Sequence, residues 1–364
     1  MDRIIFHIPN KINENLASGS QIRPIKMLNA FKKIGYQVDV VMGDVKQRKQ
    51  QINQIKNNIK QGIKYSFLYS ESSTMPTALT ESHHLPVAPF LDFNFFKFCK
   101  KNEIKIGLFY RDVYWIFEEY KEKTVFYKRI LAILFYKFDL YYYNKILDIL
   151  FLPSKLMYDY LPIKVNCKVI DLPPAISNVT VTQNIKKSNK IDFIYIGGIS
   201  SIYDIKLFTK VVHDIGLNSI NLCTRKPEWN VAKKDYEPYS KCIKVYHKSG
   251  NELDEIYNKS SVALYFVKPQ EIWSFAMGVK LFEYLSYRKP IIAVEGTAVG
   301  NFVSQNNVGW VIPYNEGKLK NLILFINENP QEILLKIKNI EKIINENTWE
   351  ARVMQIANDL GSVK

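Results

Sequence analysis

The most chemically suggestive spacing in this 364-residue chain lies in EIWSFAMGVKLFEYLSYRKPIIAVEG, residues 271–296. The pattern predicts a loop, then a helix from about Val279, then a strand. A helix N-terminus presents free N–H groups and a positive dipole end to a phosphate, and Gly278 would let that backbone approach closely. Lys280 lies in the first turn, and Glu283, one turn in, could accept two hydrogen bonds from a vicinal diol such as ribose. An ordinary amphipathic helix with both charges in solvent is the alternative.

Polar and aromatic residues also follow an apolar strand in the first half, in FYRDVYW (109–115). Asp112 could bind sugar hydroxyls, and Arg111 could either keep that carboxylate ionised or contact a phosphate. Tyr114 and Trp115 offer flat surfaces on which a sugar ring could stack, or else they are core aromatics.

The N-terminal junction SGSQIRPIKML (18–28) is a third candidate. Its small polar residues could cap the helix that follows and also bind an anion or a sugar, with ordinary capping as the alternative. Arg23 lies in the first turn, within reach of such a ligand. The residues concerned are Ser18, Gly19, Ser20 and Arg23.

His83 and His84 lie in a long polar loop, and such loops often carry function. No Cys or acidic ligand pattern surrounds them, so we expect no metal site, whereas His84 could contact an acceptor. The four cysteines are scattered, which is typical of reduced thiols rather than of a zinc site or a redox pair.

The elements that must position these residues form two successive series of alternating strands and helices. RIIFHI (3–8) and VDVVM (38–42) flank a helix in the first series, and IDFIYIGG (191–198) opens the second. Such alternation predicts parallel sheets with right-handed crossovers. We therefore predict an α/β chain of two Rossmann-like domains facing across a cleft, residues 1–176 and 190–345, with ligands at the carboxyl ends of the strands.

Composition limits the class of protein. Apolar residues make up 47% of the chain, which excludes disorder as its main state. Fifty basic and 35 acidic residues give a net charge of +15, which favours an anionic partner or reflects a lysine-rich composition throughout. In the most apolar region, 125–152, the longest charge-free run is Ile130–Tyr136, far below the ~20 residues that span a bilayer. We expect a cytoplasmic protein, soluble or attached to a membrane surface.

The segment VKLFEYLSYRKPIIA (279–293) resembles the nucleotide-binding signature of retaining GT-B glycosyltransferases of glycosyltransferase family 4. There, a helix of the form P-x-K-L-F-E-Y-L precedes G-K-P-I-I-A, most similarly in enzymes of capsular, exopolysaccharide and teichuronic-type wall-polymer synthesis. The resemblance implies the GT-B fold and a nucleotide-sugar donor, with UDP the expected nucleotide, but no cofactor or metal. It implies that Glu283 binds the ribose hydroxyls. Gly278, Val279 and Lys280 would complete this part of the donor site. The family's other glutamate lies eight residues earlier, where this chain has Phe275.

A glycine turn is the second feature carried over from the family, where it opens the C-terminal domain as G-R, with a Lys several residues on, and grips the diphosphate. Because Gly198 stands in place of the Arg, another cation is needed, and Arg225 in CTRKPEW (223–229) is the candidate, since a guanidinium makes two-pronged contacts with phosphate. A plain turn and a solvated Arg are the alternatives. The donor-site candidates on this side are Gly197, Gly198, Ser200, Arg225, Lys226 and His247.

The resemblance implies a hexosyltransferase reaction, in which a sugar passes from a nucleoside diphosphate to an acceptor hydroxyl with retained configuration. Cations and N–H groups near Gly198 and Gly278 would stabilise the charge on the leaving diphosphate. Asp112 could instead be the general base of an inverting enzyme, so the stereochemistry stays open. The candidate catalytic residues are Arg111, Asp112 and Arg225. The candidate acceptor-site residues are Ser18, Gly19, Ser20, Arg23, His84, Tyr114 and Trp115.

The acceptor is expected to be a glycan, lipid-linked and at the inner face of the cell membrane, with the protein peripheral there. Residues 46–64 are basic with an apolar face, and residues 124–147 mix aromatics with Lys and Arg, as interfacial helices do. A solvated helix for 46–64 and a buried aromatic core helix for 124–147 are the alternatives. The tail resembles the closing helix of GT-B enzymes, so 346–364 is predicted to cross back to the first domain.

Other classes of protein share parts of this pattern. A nucleic-acid-binding protein would explain the charge, but no recognised motif is present, and we expect no nucleic acid partner. A dinucleotide-dependent oxidoreductase should carry G-x-G-x-x-G with an acid ~20 residues later, and IGGISSIYD lacks that spacing. A sugar-nucleotide epimerase of GT-B fold and a non-catalytic GT-B-like adaptor remain as alternatives.

Overall fold

The computed structural model describes residues 2–13, 19–177, 191–200 and 202–361. Ser18 and most of the predicted linker 177–190 lie outside the described residues. The chain divides into two compact units. Unit 1 consists of Met1–Pro174 with Trp349–Lys364, and unit 2 is Ala175–Thr348.

Unit 1 is built on a six-stranded parallel sheet with the strand order β2-β1-β3-β4-β5-β6. Its strands are β1 (Arg3–His7), β2 (Gln37–Val41), β3 (Phe67–Glu71), β4 (Lys105–Phe109), β5 (Ile149–Leu152) and β6 (Lys168–Asp171). Its first five helices are α1 (Gly19–Lys33), α2 (Val45–Lys60), α3 (Leu91–Lys101), α4 (Glu118–Lys123) and α5 (Phe126–Ile146). The central strands are buried on both faces, as parallel strands covered by helices must be.

Unit 2 repeats this architecture, with the strand order β12-β11-β10-β7-β8-β9, all parallel. Its strands are β7 (Asp192–Ile196), β8 (Ser219–Cys223), β9 (Ile243–Tyr246), β10 (Val262–Tyr265), β11 (Ile291–Val294) and β12 (Gly309–Ile312). Its helices are α6 (Lys206–Ile215), α7 (Lys226–Tyr236), α8 (Leu253–Lys259), α9 (Val279–Ser286), α10 (Ala298–Gln305), α11 (Glu316–Glu328) and α12 (Gln331–Ile343). The prediction of two Rossmann-like α/β domains is confirmed.

Each sheet has one point at which the strand order reverses. In unit 1 the reversal falls between β1 and β3, and in unit 2 it falls between β7 and β10. Loops leave such a pair of strands in opposite directions and open a crevice at their carboxyl ends, where open α/β sheets bind ligands. We therefore expect the predicted site residues at the carboxyl ends of the strands beside these two reversal points.

Helix α2 shows which interpretation of residues 46–64 the structure favours. It begins with a capping box between Asp44 and Gln47, and its apolar residues Ile52 and Ile55 are buried against the unit. This part of its apolar face therefore belongs to the core, whereas Ile59 and Ile63 on the same face are half-buried. The burial favours the solvated-helix interpretation, and contact with a membrane stays a prediction.

The chain returns to unit 1 in helix α13 (Trp349–Leu360), which packs against α1 and β4. A Cβ atom at Gly107 in β4 would lie 2.7 Å from Leu360 Cδ1, so the glycine makes room for the end of this helix. Arg352 Nε donates to the carbonyl of Pro173 (3.2 Å). Val353, Ile356 and Leu360 are fully buried, so α13 forms part of the core of unit 1.

No helix within the described ranges is both long enough and apolar enough to cross a bilayer. The four cysteines are unpaired thiols, and burial raises the pKa of the Cys99 thiol to about 12.

Candidate functional site

A recess of about 40 Å³ opens at the strand-order reversal of unit 2. Aromatic side chains form most of its wall, with one cation. It is lined by Tyr195, Ile196, Tyr203, Leu264, Tyr265, Val267, Trp273, Lys280 and Tyr284. The indole Nε1 of Trp273 is buried and has no hydrogen-bond partner among the described residues. The recess therefore combines flat aromatic faces with one cationic side chain, that of Lys280.

Helix α9 carries the most informative sequence motif to this recess. Gly278 precedes it in extended conformation (φ −79°, ψ 151°) and supplies no side-chain cap to the first turn. A side chain at Gly278 would overlap the Tyr265 hydroxyl, so the close approach of the two segments requires glycine. Leu281, Phe282 and Leu285 are buried in the core and fix the opposite face. The first turn is thereby held at the carboxyl end of β10.

Glu283 and Lys280 form an ion pair on α9, with Lys280 Nζ 2.7 Å from Glu283 Oε2. The hydroxyl of Tyr257, in α8, donates to Glu283 Oε1 (3.0 Å). Tyr257 is fully buried, whereas 22% of the Glu283 side chain is exposed. Each carboxylate oxygen can accept more than one hydrogen bond, so this oriented carboxylate can still receive a diol. Tyr257 was not predicted, because nothing in LDEIYNK distinguishes it from a core aromatic.

The glycine turn after β7 lies beside Arg225. A Cβ atom at Gly198 would lie 3.7 Å from Arg225 Nη2 and 3.2 Å from Glu228 Oε2. Glu228 forms an ion pair with Arg225 and accepts the N–H of Ile199 (3.3 Å), which joins the turn to the start of α7. Arg225 is 73% exposed, so its guanidinium is accessible to a ligand. The substitute cation is thus next to the turn, and its contact with phosphate stays a prediction. Glu228 was missed, although its spacing from Arg225 was a signal.

The remaining donor-site candidates lie at the same edge of the sheet. Lys226 is the first residue of α7 and is exposed. His247 follows β9, with its Nδ1 2.8 Å from the carbonyl oxygen of Thr224. Gly197 and Ser200 belong to the loop after β7, and Ser200 is exposed. All four are near the carboxyl ends of β7, β8 or β9, without a direct bond to Glu283.

In unit 1 the two predicted arginines meet at a carboxylate that was not predicted. Glu71, the last residue of β3, is fully buried. Its Oε2 lies 3.2 Å from Arg111 Nη2, and its Oε1 lies 3.3 Å from Arg23 Nε. The Tyr69 hydroxyl also donates to Oε1 (3.0 Å). Glu71 offsets the buried positive charges at this edge, and its position at the end of the strand YSFLYSE was the available signal.

The guanidinium groups of Arg23 and Arg111 connect different parts of unit 1. Arg23 is 2% exposed, stacks 3.6 Å above the Phe109 ring and donates to the carbonyl of Pro173 (3.3 Å). It therefore braces the interior of unit 1. Arg111 donates to the carbonyl of Gly19 (3.3 Å) and so ties the end of β4 to the start of α1, where Ser20 follows. Burial lowers the pKa of Arg111, against the opposing charge of Glu71.

Asp112 is half-buried and accepts the N–H of Tyr114 (3.3 Å). Burial raises the pKa of Asp112, and the charge of Arg111 opposes that rise. Trp115 is buried, lies parallel to the Tyr136 ring at 4.8 Å and donates to the Tyr110 hydroxyl (3.2 Å). The structure therefore favours the core interpretation for Trp115, while Tyr114 is half-buried.

A buried network braces the strand-order reversal of unit 1. His7 Nε2 lies 2.9 Å from Asp92 Oδ1, and His7 Nδ1 lies 2.8 Å from Ser70 Oγ. Arg48 donates to the same carboxylate (3.1 Å). Burial lowers the pKa of His7. Burial alone would raise the pKa of Asp92, but the hydrogen bond from His7 and the charge of Arg48 outweigh it and lower the pKa of Asp92. A neutral imidazole that donates to Asp92 and accepts from Ser70 fits both directions.

The two loop histidines are bonded within their own loop. His84 Nδ1 lies 3.0 Å from the carbonyl oxygen of Leu79, and His83 Nδ1 accepts the N–H of Leu85 (3.1 Å). Both are exposed. Across the described ranges, His, Cys, Asp and Glu side chains nowhere come together in a group of three that could hold a metal ion.

No protein-family model matches the chain, and no curated protein sequence matches it. Solved structures are similar over almost its whole length. The sucrose-phosphate synthase of Thermosynechococcus elongatus is 12% identical, with 98% of each chain covered and a TM-score of 0.66. HepE of Anabaena in complex with UDP is 10% identical (99% of each chain, TM-score 0.65). A glycosyltransferase from Rickettsia africae is 12% identical (99% of this chain, 98% of the other, TM-score 0.66).

These similarities and the two parallel sheets define the class of fold, which is the GT-B fold of glycosyltransferases. At these identities the structures share the fold with this chain, and the activity has to be argued from its own site.

Proposed function

We propose that the protein is a hexosyltransferase that moves a sugar from a UDP-sugar to a hydroxyl of a lipid-linked glycan during bacterial surface polysaccharide synthesis. The observation that carries this proposal is the arrangement of Glu283, Lys280 and the first turn of α9 at the strand-order reversal of unit 2. The same fold houses UDP in HepE of Anabaena, which supports the choice of nucleotide.

The donor fits this edge chemically. The ribose diol would donate to Glu283, whose carboxylate is already oriented by Tyr257. The diphosphate would lie against the N–H groups of α9 and the turn at Gly198, where Arg225 supplies positive charge. The sugar would lie over the aromatic recess, whose ring faces suit the apolar face of a sugar ring.

The reaction breaks the bond between the anomeric carbon and the diphosphate oxygen and forms a bond from that carbon to the acceptor oxygen. Negative charge then grows on the diphosphate, and Arg225, Lys280 and the main-chain N–H groups would stabilise it without a metal. The leaving phosphate would take the acceptor proton, with retention of configuration. Arg111 and Asp112 are proposed to act on the acceptor side, with Asp112 as general base if the enzyme inverts.

The first test is a thermal-shift titration of the wild type, Glu283→Ala and Glu328→Ala with UDP, GDP and NAD. Glu328 ends α11 and is exposed, so it is the control for loss of a helical glutamate. A ligand at 100 times its Kd adds about 2.7 kcal/mol of stability. We expect UDP to stabilise the wild type and the control, and Glu283→Ala to lose most of the shift.

Three other results would count against the proposal. A shift with NAD alone would contradict the donor site. Turnover of UDP-sugar without any acceptor would favour an epimerase, and no shift with any nucleotide would favour an adaptor.

A further inference from the structure

The turn after β7, residues 197–199, presents a main-chain N–H group to an acidic side chain. The Tyr195 hydroxyl fixes the turn by donating to the carbonyl of Gly198 (2.8 Å). The N–H group of Ile199 then donates to Oε2 of Glu228 (3.3 Å). In the protein without ligand, a carboxylate therefore occupies an anion position at this turn.

The same carboxylate is paired with a cation. Glu228 forms an ion pair with the guanidinium of Arg225 through its other oxygen, Oε1. A main-chain N–H and a guanidinium are also the donors that phosphate oxygens take at such turns. A Cβ atom at Gly198 would lie 3.2 Å from Glu228 Oε2, so the carboxylate lies directly against the glycine. Glu228 thus makes the contacts that a bound phosphate would make.

The carboxylate is held loosely enough to leave. The exposed fractions are 28% for the Glu228 side chain and 73% for that of Arg225. An ion pair with this exposure is weak, because water competes for both partners. The buried residue of α7 is Tyr236, at the opposite end of the helix. Glu228 can therefore swing out into solvent without disturbing a packed core.

A diphosphate and the Glu228 carboxylate exclude each other at this turn. Like charges a few ångströms apart repel, and both anions need Arg225 as their counterion. The plainer alternative is that Glu228 only stabilises α7, since an acid in the first turn interacts favourably with the helix dipole. That role does not require the hydrogen bond from Ile199, which comes from outside the helix.

We propose that Glu228 competes with the donor's diphosphate for the turn after β7, so that the donor binds by displacing its carboxylate. The identity of this ligand rests on the proposed function. Displacement frees Arg225 to pair with the diphosphate, which couples this cation to donor binding. The carboxylate also contributes to specificity, because a ligand without phosphate has no charge with which to replace it at Arg225.

Calorimetric titration of Glu228→Gln tests the competition. The amide keeps the shape of the side chain and removes its charge, so UDP and inorganic pyrophosphate should each bind about tenfold more tightly than to the wild type. Uridine, which has no phosphate, should bind both proteins equally. The matched control is Glu237→Gln, an exposed acid just beyond α7, which should bind all three ligands as the wild type does. A gain in affinity also shows that the variant is folded.

Weaker binding of UDP and pyrophosphate by Glu228→Gln would overturn the proposal, because it would mean that Glu228 holds Arg225 in place for the phosphate. Unchanged affinities, no binding of pyrophosphate by either protein, or an equal gain in Glu237→Gln would overturn it too, the last because net charge alone would explain the gain.

Failure of the proposed function has a different signature. Pyrophosphate would still bind Glu228→Gln more tightly than the wild type, which supports the competition. UDP, however, would bind no better than pyrophosphate, and Glu283→Ala would change neither affinity, which contradicts the nucleotide site.

Discussion

At the scale of single residues, carboxylates in different surroundings have different tasks. Glu283 is partly exposed and receives Tyr257 and Lys280, which leaves it oriented and accessible. Glu71 is fully buried between two guanidinium groups and serves as their counterion. Asp139 is buried with a single backbone donor. Only the first is placed to meet a ligand, because only it combines exposure with oriented lone pairs.

Tyr257→Phe tests whether Tyr257 orients Glu283. The substitution removes the donor to Oε1 and keeps the ring, so we expect UDP affinity to fall about tenfold, since a hydrogen bond to a charged group is worth ~1.5–3 kcal/mol. The control is Tyr287→Phe, whose ring stacks on Tyr257 at 3.7 Å but whose hydroxyl contacts Asp254. Calorimetric titration with UDP, beside melting curves without it, separates orientation from stability. Equal affinities for the two variants would contradict the role.

Asp139→Asn tests the pH dependence of stability. Burial raises the pKa of Asp139 to about 7, above its ordinary value of 3.8. The folded state therefore holds a proton that the unfolded state has lost between pH 4 and 7, so stability falls as the pH rises through that window. The variant keeps an acceptor for Thr77 and has no charge to bury. Its advantage over the wild type should grow between pH 5 and pH 8 by an amount on the order of 2.5 kcal/mol.

Urea unfolding at the two pH values measures this change, with the exposed Asp214→Asn as control. A gap between variant and wild type that stays constant with pH would show that Asp139 is not the titrating group.

The residues that were predicted from the sequence and those that were not differ in how far along the chain their partners lie. Glu283 and Lys280 were predictable because their partners are one helical turn apart. The arginine partners of Glu71 lie 40 and 48 positions away, and the Glu283 partner of Tyr257 lies 26 positions away, so no local pattern indicates these pairs. The pairing of Arg111 was predicted with its sequence neighbour Asp112, but its direct partner is Glu71, 40 residues earlier.

At the scale of elements, α7 and the turn after β7 act together. Arg225 precedes the first turn of α7, which turns its guanidinium toward Gly198. Arg225→Gln should weaken UDP binding about tenfold, because a charged contact to phosphate is lost. Lys233→Gln, at the exposed far end of α7, is the control and should leave the affinity unchanged. Titration at two salt concentrations should show a smaller salt effect for Arg225→Gln alone.

Helices α2 and α5 show why sequence periodicity did not decide between a core face and an outer face. Both were predicted to be interfacial, with a plainer alternative for each. In α2 the isoleucines point to the sheet, whereas α5 is apolar on both sides and buries only one. The periodicity of the sequence identifies an apolar face on a helix. Where a helix is apolar on two faces, only the neighbouring elements show which face is buried.

At the scale of the whole molecule, the sheets were the most predictable part. Runs such as RIIFHI and IDFIYIGG are buried on both faces, and their alternation with helices permits few parallel topologies. The order of strands across each sheet, which creates the two reversal points, was implied only by the resemblance to GT-B enzymes. Strand order depends on crossovers between distant segments, which local pattern does not encode.

The burial of α13 makes a prediction about unit 1. Ile356 is fully buried and Met354 is 49% exposed on the same helix. Ile356→Ala should lower the free energy of unfolding by about 2–5 kcal/mol, as expected for a cavity in a packed core, whereas Met354→Ala should change it little. Urea denaturation followed by circular dichroism measures both. Similar small losses for the two variants would mean that α13 is dispensable for unit 1.

The placement of α13 also fixes an order of events on the ribosome. Unit 1 begins first, yet its closing helix follows Ala175–Thr348, a segment of 174 residues. At ~5–20 residues per second, translation of that segment takes about 10 to 35 s. During this time the surfaces of α1 and β4 that α13 covers remain open to chaperones, while unit 2 emerges as one uninterrupted segment. The unit translated second is thus the first whose chain is complete, and the first unit gains its closing helix only after that.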